Sequence, residues 1–296
     1  MIFHSDFDLP KYLKKFLQHL KRKYYSEETI IGYENDIKKF SSFIYQLYDG
    51  QILTEEISKD DILEYLDFLG NQDYKPNSIN RYFYGLKAFF KYLVIELDFK
   101  VDPTIGISTR NVYVPLPEIL DIDEMALVLS TAKKYSEFYH VLISLLYYTG
   151  SRITAARTLL KENVDIKNNK IYFPRIKGGR DLHLPLHPKL HQILIDYLHN
   201  TKDNGSDYLF PSPVSRNMPI SGVEIRIKLK KIGSQCNITK RLTPHVIRHC
   251  TATHLTLLGV DQHYIATLLG HTDSRSTARY QHLKVDDLRS AMKKLK

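Results

Sequence analysis

The chain has little of what several large protein classes require. Two cysteines, Cys236 and Cys250, in 296 residues are too few for a disulfide framework or a cysteine-built metal site. Both are expected to be reduced core residues. No apolar run is long enough to cross a bilayer, and V-L-I-S-L-L-Y-Y is among the longest. The start, M-I-F-H-S-D-F-D, lacks the basic and apolar segments of a secretory signal. There is no internal repeat and no low-complexity tract. Together these features point to a cytoplasmic protein.

What is present is a size suited to two domains and 43% apolar residues, enough to bury real cores. The formal net charge is +9, which points to a polyanionic partner. The charge is uneven. Residues 1–104 carry 14 Lys and Arg against 17 Asp and Glu, whereas residues 105–296 carry 28 against 16. Cations still cluster in the first part, at Lys11 to Lys23 and at Lys75, Arg81, Lys87 and Lys91. Beside a strongly basic neighbour, such clusters read as DNA contacts rather than merely solvated helix faces.

Periodicity predicts four helices in the first hundred residues: Pro10 to about Lys23, a helix capped by Ser26 to about Tyr48, Ser58 through Phe68, and Asn77 or Ser78 to about Leu97. Gly70 and Asn71 are expected to close the third. Residues 99–117 hold three prolines and a glycine and read as an extended linker. The expected organisation is a helical domain over 1–101, a linker over 102–117 and a second domain over 118–296. In the second domain, Asp121 with Glu124 caps a helix, and another runs from about Ser136 and stops at Gly150. Residues 169–186 read as two strands around Gly178-Gly179. Helices follow at about Pro188–Leu198, Val223–Ile232, Pro244–Leu258, Asp261–Leu269 and Arg275–His282, with a last one over Val285–Leu295.

The chemistry concentrates near the end, in T-P-H-V-I-R-H, then L-L-G-H, then a tyrosine nine residues on: His245, Arg248, His271 and Tyr280. His245 and Arg248 are three apart on a helix and share a face. A guanidinium fork binds two phosphate oxygens, and an imidazole moves a proton near neutral pH. A phenol with a pKa near ~10 is a far better leaving group than an alkoxide. A phosphotyrosyl bond therefore keeps most of the energy of the diester it replaces. That predicts reversible transesterification without ATP, metal or other cofactor. Such a site needs a second cation, supplied by Arg152 just past Gly150. It also needs an acid for the departing 5′-oxygen: Lys177 at the hairpin tip, or in its place Arg175 or Arg180.

Two metal readings are weaker. His183, His187 and His191 are four apart, but Pro185 and Pro188 break any single helix through them. His245 and His249 have zinc-pair spacing without the acidic residue of H-E-x-x-H.

In the order T-G-x-R, K-G in a hairpin, H-x-x-R-H, L-G-H and Tyr, the chain resembles the tyrosine recombinase (phage integrase/Xer-type) family over nearly its whole length. The resemblance implies a mainly α fold with a small β-hairpin, built as a helical SAM-like core-binding domain plus a mixed α/β catalytic domain. It implies that Arg152 and Arg248 bind the scissile phosphate and that Tyr280 attacks to form a 3′-phosphotyrosyl link. Lys177 would protonate the 5′-oxygen, His245 assist the tyrosine's proton transfer, and His271 hydrogen-bond the phosphate. Partners would be double-stranded DNA and further copies of the chain, a dimer on a site and a tetramer in synapsis, acting at the nucleoid. Arg81, Lys87, Lys240 and Arg241 are expected DNA contacts. Where the family usually has an acidic residue three after the first arginine, this chain has Ala155, and a family aspartate soon after corresponds to Asn163 or Asp165. Val285, Leu288, Met292 and Leu295 form one ridge of the 283–296 tail. It docks either on its own domain or, as the resemblance favours, on a neighbouring protomer. Two other functions stay open on sequence: a non-catalytic architectural DNA-binding protein, suggested by a helix–turn–helix look around Gly259, and a type IB topoisomerase.

Overall fold

The computed structural model describes residues 7–112, 118–176, 180–201, 205–270, 292, 293 and 295. It divides into two compact units, Met1–Pro115 and Leu116–Lys296.

The first unit is a bundle of α1 (Leu9–Arg22), α2 (Glu27–Leu47), α3 (Lys59–Asn71) and α4 (Pro76–Leu97). Local chemistry accounts for most helix starts. Ser26 accepts from the Thr29 N–H, and Ser58 with Asp61 forms a reciprocal capping box. Two expected boundaries are corrected. Gly70 lies inside α3, which runs on to Asn71. The α4 helix begins at Pro76, earlier than Asn77, because proline in the first turn loses no helical hydrogen bond. The core is aromatic, with Phe16, Phe40, Tyr65, Phe83, Phe89 and Phe90 each under 2% exposed or close to it.

Part of the segment read as an extended linker is instead a turn at residues 103–106, and the described residues after it lie on this bundle. Thr104 donates from N and Oγ1 to Asp102 Oδ1. Ile107 packs against the core of the first unit. Arg110 exchanges hydrogen bonds with Asn80 and reaches the Leu66 carbonyl and Asp67.

The second unit is built around α6 (Glu137–Thr149), in which residues 141–149 are all buried. A helix apolar on every side belongs at the centre of its domain. Against it pack α5 (Ile122–Tyr135), α8 (Pro188–Asn200) and α10 (Pro244–Leu257). The short α7 (Ile153–Arg157), α9 (Gly222–Gln235) and α11 (Gln262–Leu268) complete the helical shell. The hairpin is present as antiparallel β2 (Lys170–Ile176) and β3 (Arg180–Pro185), with the two-residue β1 (Val164–Asp165) added at the edge of β2. Ile171 faces Leu184 and Phe173 faces Leu182, and the register slips by one residue between Phe173 and Ile176. Pro174 sits in that irregularity, where a residue without an N–H costs the ladder least.

No helix among the described residues is long and apolar enough to cross a membrane. Cys236 and Cys250 are buried and unpaired, and burial pushes the Cys250 thiol up to about 11.

The helices expected at Arg275–His282 and Val285–Leu295 lie outside the described residues, apart from Met292, Lys293 and Leu295. Met292 and Leu295 are 1% and 2% exposed within the core of the second unit. His187 Nε2 donates to the Leu295 carbonyl at 2.7 Å. Of the two expected seats, these residues occupy the one on their own domain. Within one chain, the described end of the tail seats on its own domain, because two apolar side chains and a carbonyl find matching partners there.

Candidate active site

Three chain segments meet at Arg248. The first is the end of α6, where Gly150 takes φ +59° and stops the helix. A left-handed residue is most easily glycine, and here the space is as restrictive as the backbone. A Cβ on Gly150 would run into Leu269 and press on Thr251 at 3.3 Å. The second segment is the start of α10, where Thr243 accepts from the Val246 N–H and Pro244 occupies the first turn. The third is the end of α11, Leu269 and Gly270.

Arg248 ties them together. Its Nη1 donates to the Gly150 carbonyl at 2.7 Å and its Nη2 to the Leu269 carbonyl at 2.8 Å. Burial, and after it the like charge of Arg152, lower its pKa to about 10. The guanidinium still carries its proton at neutral pH, at an electrostatic cost that an anion would relieve.

Arg152 is half-buried at the N-cap position of α7. Its side chain forms no hydrogen bond or ion pair with a described residue. Ala155, at the position where the resemblance leads one to expect an acid, packs against the core. Asn163 caps its own turn through the Leu160 N–H, and Asp165 is occupied by Asn168. No described carboxylate therefore braces Arg152. His245 and His249 are both exposed on α10.

Beyond Arg248, α10 is locked to α6. Thr251 Oγ1 donates to the Tyr147 carbonyl at 2.7 Å. His254 Nε2 faces the Leu120 carbonyl at 2.9 Å, so it must carry the proton. Its Nδ1 then accepts from the Tyr147 hydroxyl at 2.9 Å. Sequence reasoning missed these supports. His254 follows Cys250 at helical spacing on the buried side of α10, a readable hint; the Gly150 and Leu269 carbonyls left none.

Arg152 and Arg248 are thus brought into electrostatic contact with each other and with the turn at Gly150. Lys177, His271 and Tyr280 lie outside the described residues. Among the expected DNA contacts, Lys240 is held by Glu124 at 2.7 Å, Arg81 by Asp36, and Lys87 rests over the Phe83 ring, while Arg241 is exposed. His187 and His191 turn to the Leu295 and Ile166 carbonyls, and His183 stacks on Tyr172. No cluster suited to a metal ion occurs among the described residues.

An arrangement with one clamped cation, a second cation without a described partner and a solvent-facing histidine suits a phosphodiester. Comparison with known proteins agrees. Residues 118–286 match the phage integrase family, and residues 13–96 match the phage integrase N-terminal SAM-like domain. A tyrosine recombinase of Pseudothermotoga lettingae is 30% identical over 282 residues, covering 95% of each chain. Tyrosine recombinase XerD of Staphylococcus haemolyticus is 30% identical over 291 residues, again covering 95% of each. Among solved structures, a lambda integrase tetramer bound to a Holliday junction shares the fold, with a TM-score of 0.71 and 17% identity. The match covers 93% of this chain and 78% of that one.

Proposed function

The chain belongs to the phage integrase family of tyrosine recombinases, and on that premise we propose how it cuts and rejoins duplex DNA at a specific site. Tyr280 is the nucleophile. Its oxygen attacks the scissile phosphorus, forming a 3′-phosphotyrosyl bond and breaking the bond to the 5′-oxygen. Lys177 gives that oxygen a proton, and His245 takes the proton of the attacking phenol. Arg152 and Arg248 hold the non-bridging oxygens as charge builds on them, with His271 as a further hydrogen-bond donor. Attack by a 5′-hydroxyl from a paired strand reverses the chemistry and exchanges partners without an external energy source.

The observation that carries this reading is the clasp on Arg248. Two backbone carbonyls fix the fork in place before substrate arrives, and a second cation stands beside it with no described partner. Preorganised charge of this kind stabilises a transition state without reorganising during the reaction. A purely architectural DNA-binding protein has no use for a desolvated arginine clasped by two carbonyls within the field of another arginine.

The partners are double-stranded DNA and further copies of the chain. The junction-bound tetramer of lambda integrase supports a tetramer in synapsis. A soluble enzyme acting on DNA in the cytoplasm fits this role.

A nicked suicide substrate carrying the target site tests the proposal. Wild type is expected to form a covalent protein–DNA adduct that persists in EDTA, and Tyr280→Phe is expected to form none. A wild type that binds its site yet forms no adduct overturns the reading. An adduct formed by Tyr280→Phe overturns the choice of nucleophile. Joined products separate recombination from relaxation of supercoils.

A further inference from the structure

Helix α4 carries an exposed polar stripe. Asn77, Arg81, Tyr84, Lys87 and Lys91 are all exposed at helical spacing, and no acid occurs between Lys75 and Ile95. This is notable in a unit where acids outnumber bases.

Within the stripe, Arg81 is held unusually firmly. Both oxygens of Asp36, on α2, accept from its Nη1, at 2.5 and 2.7 Å. Asp36 is only 3% exposed. The guanidinium carbon lies 4.3 Å from the centre of the Tyr82 ring. Tyr82 is in turn braced edge-on by Tyr74, whose hydroxyl accepts from Lys39 Nζ at 2.6 Å. Gly85 makes the arrangement possible: a Cβ there would meet Asp36 Oδ2 at 3.0 Å and its Cβ at 3.1 Å.

As a stabilising device this pair is poorly designed. Burying a carboxylate is costly, and a guanidinium that is 53% exposed returns little of that cost. The arrangement does achieve one thing. It freezes a long side chain, leaving Nη2 and Nε with no described hydrogen-bond partner. A fork held rigid before binding, with two donors unused, matches the O6 and N7 acceptors of guanine in a major groove wide enough for a helix.

The geometry points to Arg81 as a residue that reads a guanine edge in the target site, and to Asp36 as the residue that positions it. This rests on the DNA-recombinase reading above. Lys87 and Lys91 on the same stripe then serve as phosphate contacts, which carry no sequence information.

The test is sequence selection from a randomised duplex library with the full-length protein. Arg81→Lys keeps the charge but loses the fork. It is expected to reduce the preference for guanine about tenfold at one or two base pairs and leave the other positions as in wild type. Asp36→Asn is expected to reproduce the same local loss, and the double variant to lose no more than Arg81→Lys alone. Gly85→Ala, whose methyl presses on Asp36, is a second route to the same displacement where Asp36→Asn does not fold. By contrast, Lys87→Ala is expected to weaken binding evenly across sequences. An Arg81→Lys profile identical to wild type, or a loss spread over every position, overturns the base-reading role. A profile altered by Arg81→Lys but by neither Asp36→Asn nor Gly85→Ala overturns the positioning role. Should wild type enrich no sequence at all, the base-reading role falls, and covalent adduct formation by wild type decides whether the recombinase reading falls with it.

Discussion

The carbonyl of Gly150 accepts from Arg248 Nη1 at 2.7 Å, joining the end of the central helix to a cation ninety-eight residues further along the chain. The glycine has two constraints at once, a left-handed backbone and no room for a side chain against Leu269. Leu269 supplies the other carbonyl of the clasp. Disturbing Gly150 therefore moves both supports of Arg248.

Gly150→Ala is expected to lower unfolding free energy by about 1–3 kcal/mol, through backbone strain and overpacking. It should also slow covalent adduct formation by tenfold or more while the protein remains folded. Denaturant titration and single-turnover cleavage of a suicide substrate measure the two effects separately.

Arg248→Lys retains charge but loses the planar fork whose two arms reach the Gly150 and Leu269 carbonyls while still facing a phosphate. Adduct formation is expected to fall roughly 10²–10³-fold, the scale of losing a preorganised oxyanion donor. Affinity for uncleaved DNA, set by many phosphate contacts, should change by only a few fold. Comparable losses in affinity and in rate would show that Arg248 acts in ground-state binding instead.

Leu295→Ala and Met292→Ala each remove a side chain buried in the core of the second unit. Each is expected to cost about 2–5 kcal/mol. Because the seat lies within one chain, the loss in Tm should be the same at low and high protein concentration. Calorimetry over a hundredfold dilution checks this, and a concentration-dependent loss would indicate docking between protomers.

Acid should weaken the fold through two histidines. Burial lowers the pKa of His187 below its ordinary 6.5, against the opposing pull of the Leu295 carbonyl and with a smaller contribution from Lys189. Burial likewise lowers His140, aided by Lys133 and opposed by Glu137. As pH falls below about 6.5 the unfolded chain takes up these protons first, so it gains relative to the folded state. Stability is expected to be insensitive to these groups above that pH and to decline below it. His187 Nδ1 accepts from the Lys189 N–H at 3.2 Å, so protonation also removes the α8 cap. The slope of Tm against pH should be shallower in His187→Gln than in wild type.

The mainly helical two-part character, most helix positions and the hairpin could be read from the amino-acid order, because these rest on short-range rules. Ser26, Ser58 and Asp121 cap helices through atoms three residues away; Ile171, Phe173 and Leu184 alternate as a half-buried strand must. Arg152, His245 and Arg248 stood out as candidates for the same reason, being ordered along the chain at characteristic spacings. Only the tertiary structure decided what holds those residues in place. The clasp on Arg248 is made of backbone carbonyls, and every residue has one, so no spacing announces which will be used. Asp36 and Arg81 are forty-five residues apart, and their pairing depends on how closely Gly85 lets two helices approach. The seat of Leu295 depends on a histidine a hundred and eight residues earlier. Contacts of that range are set by packing, in which the whole domain chooses the partners.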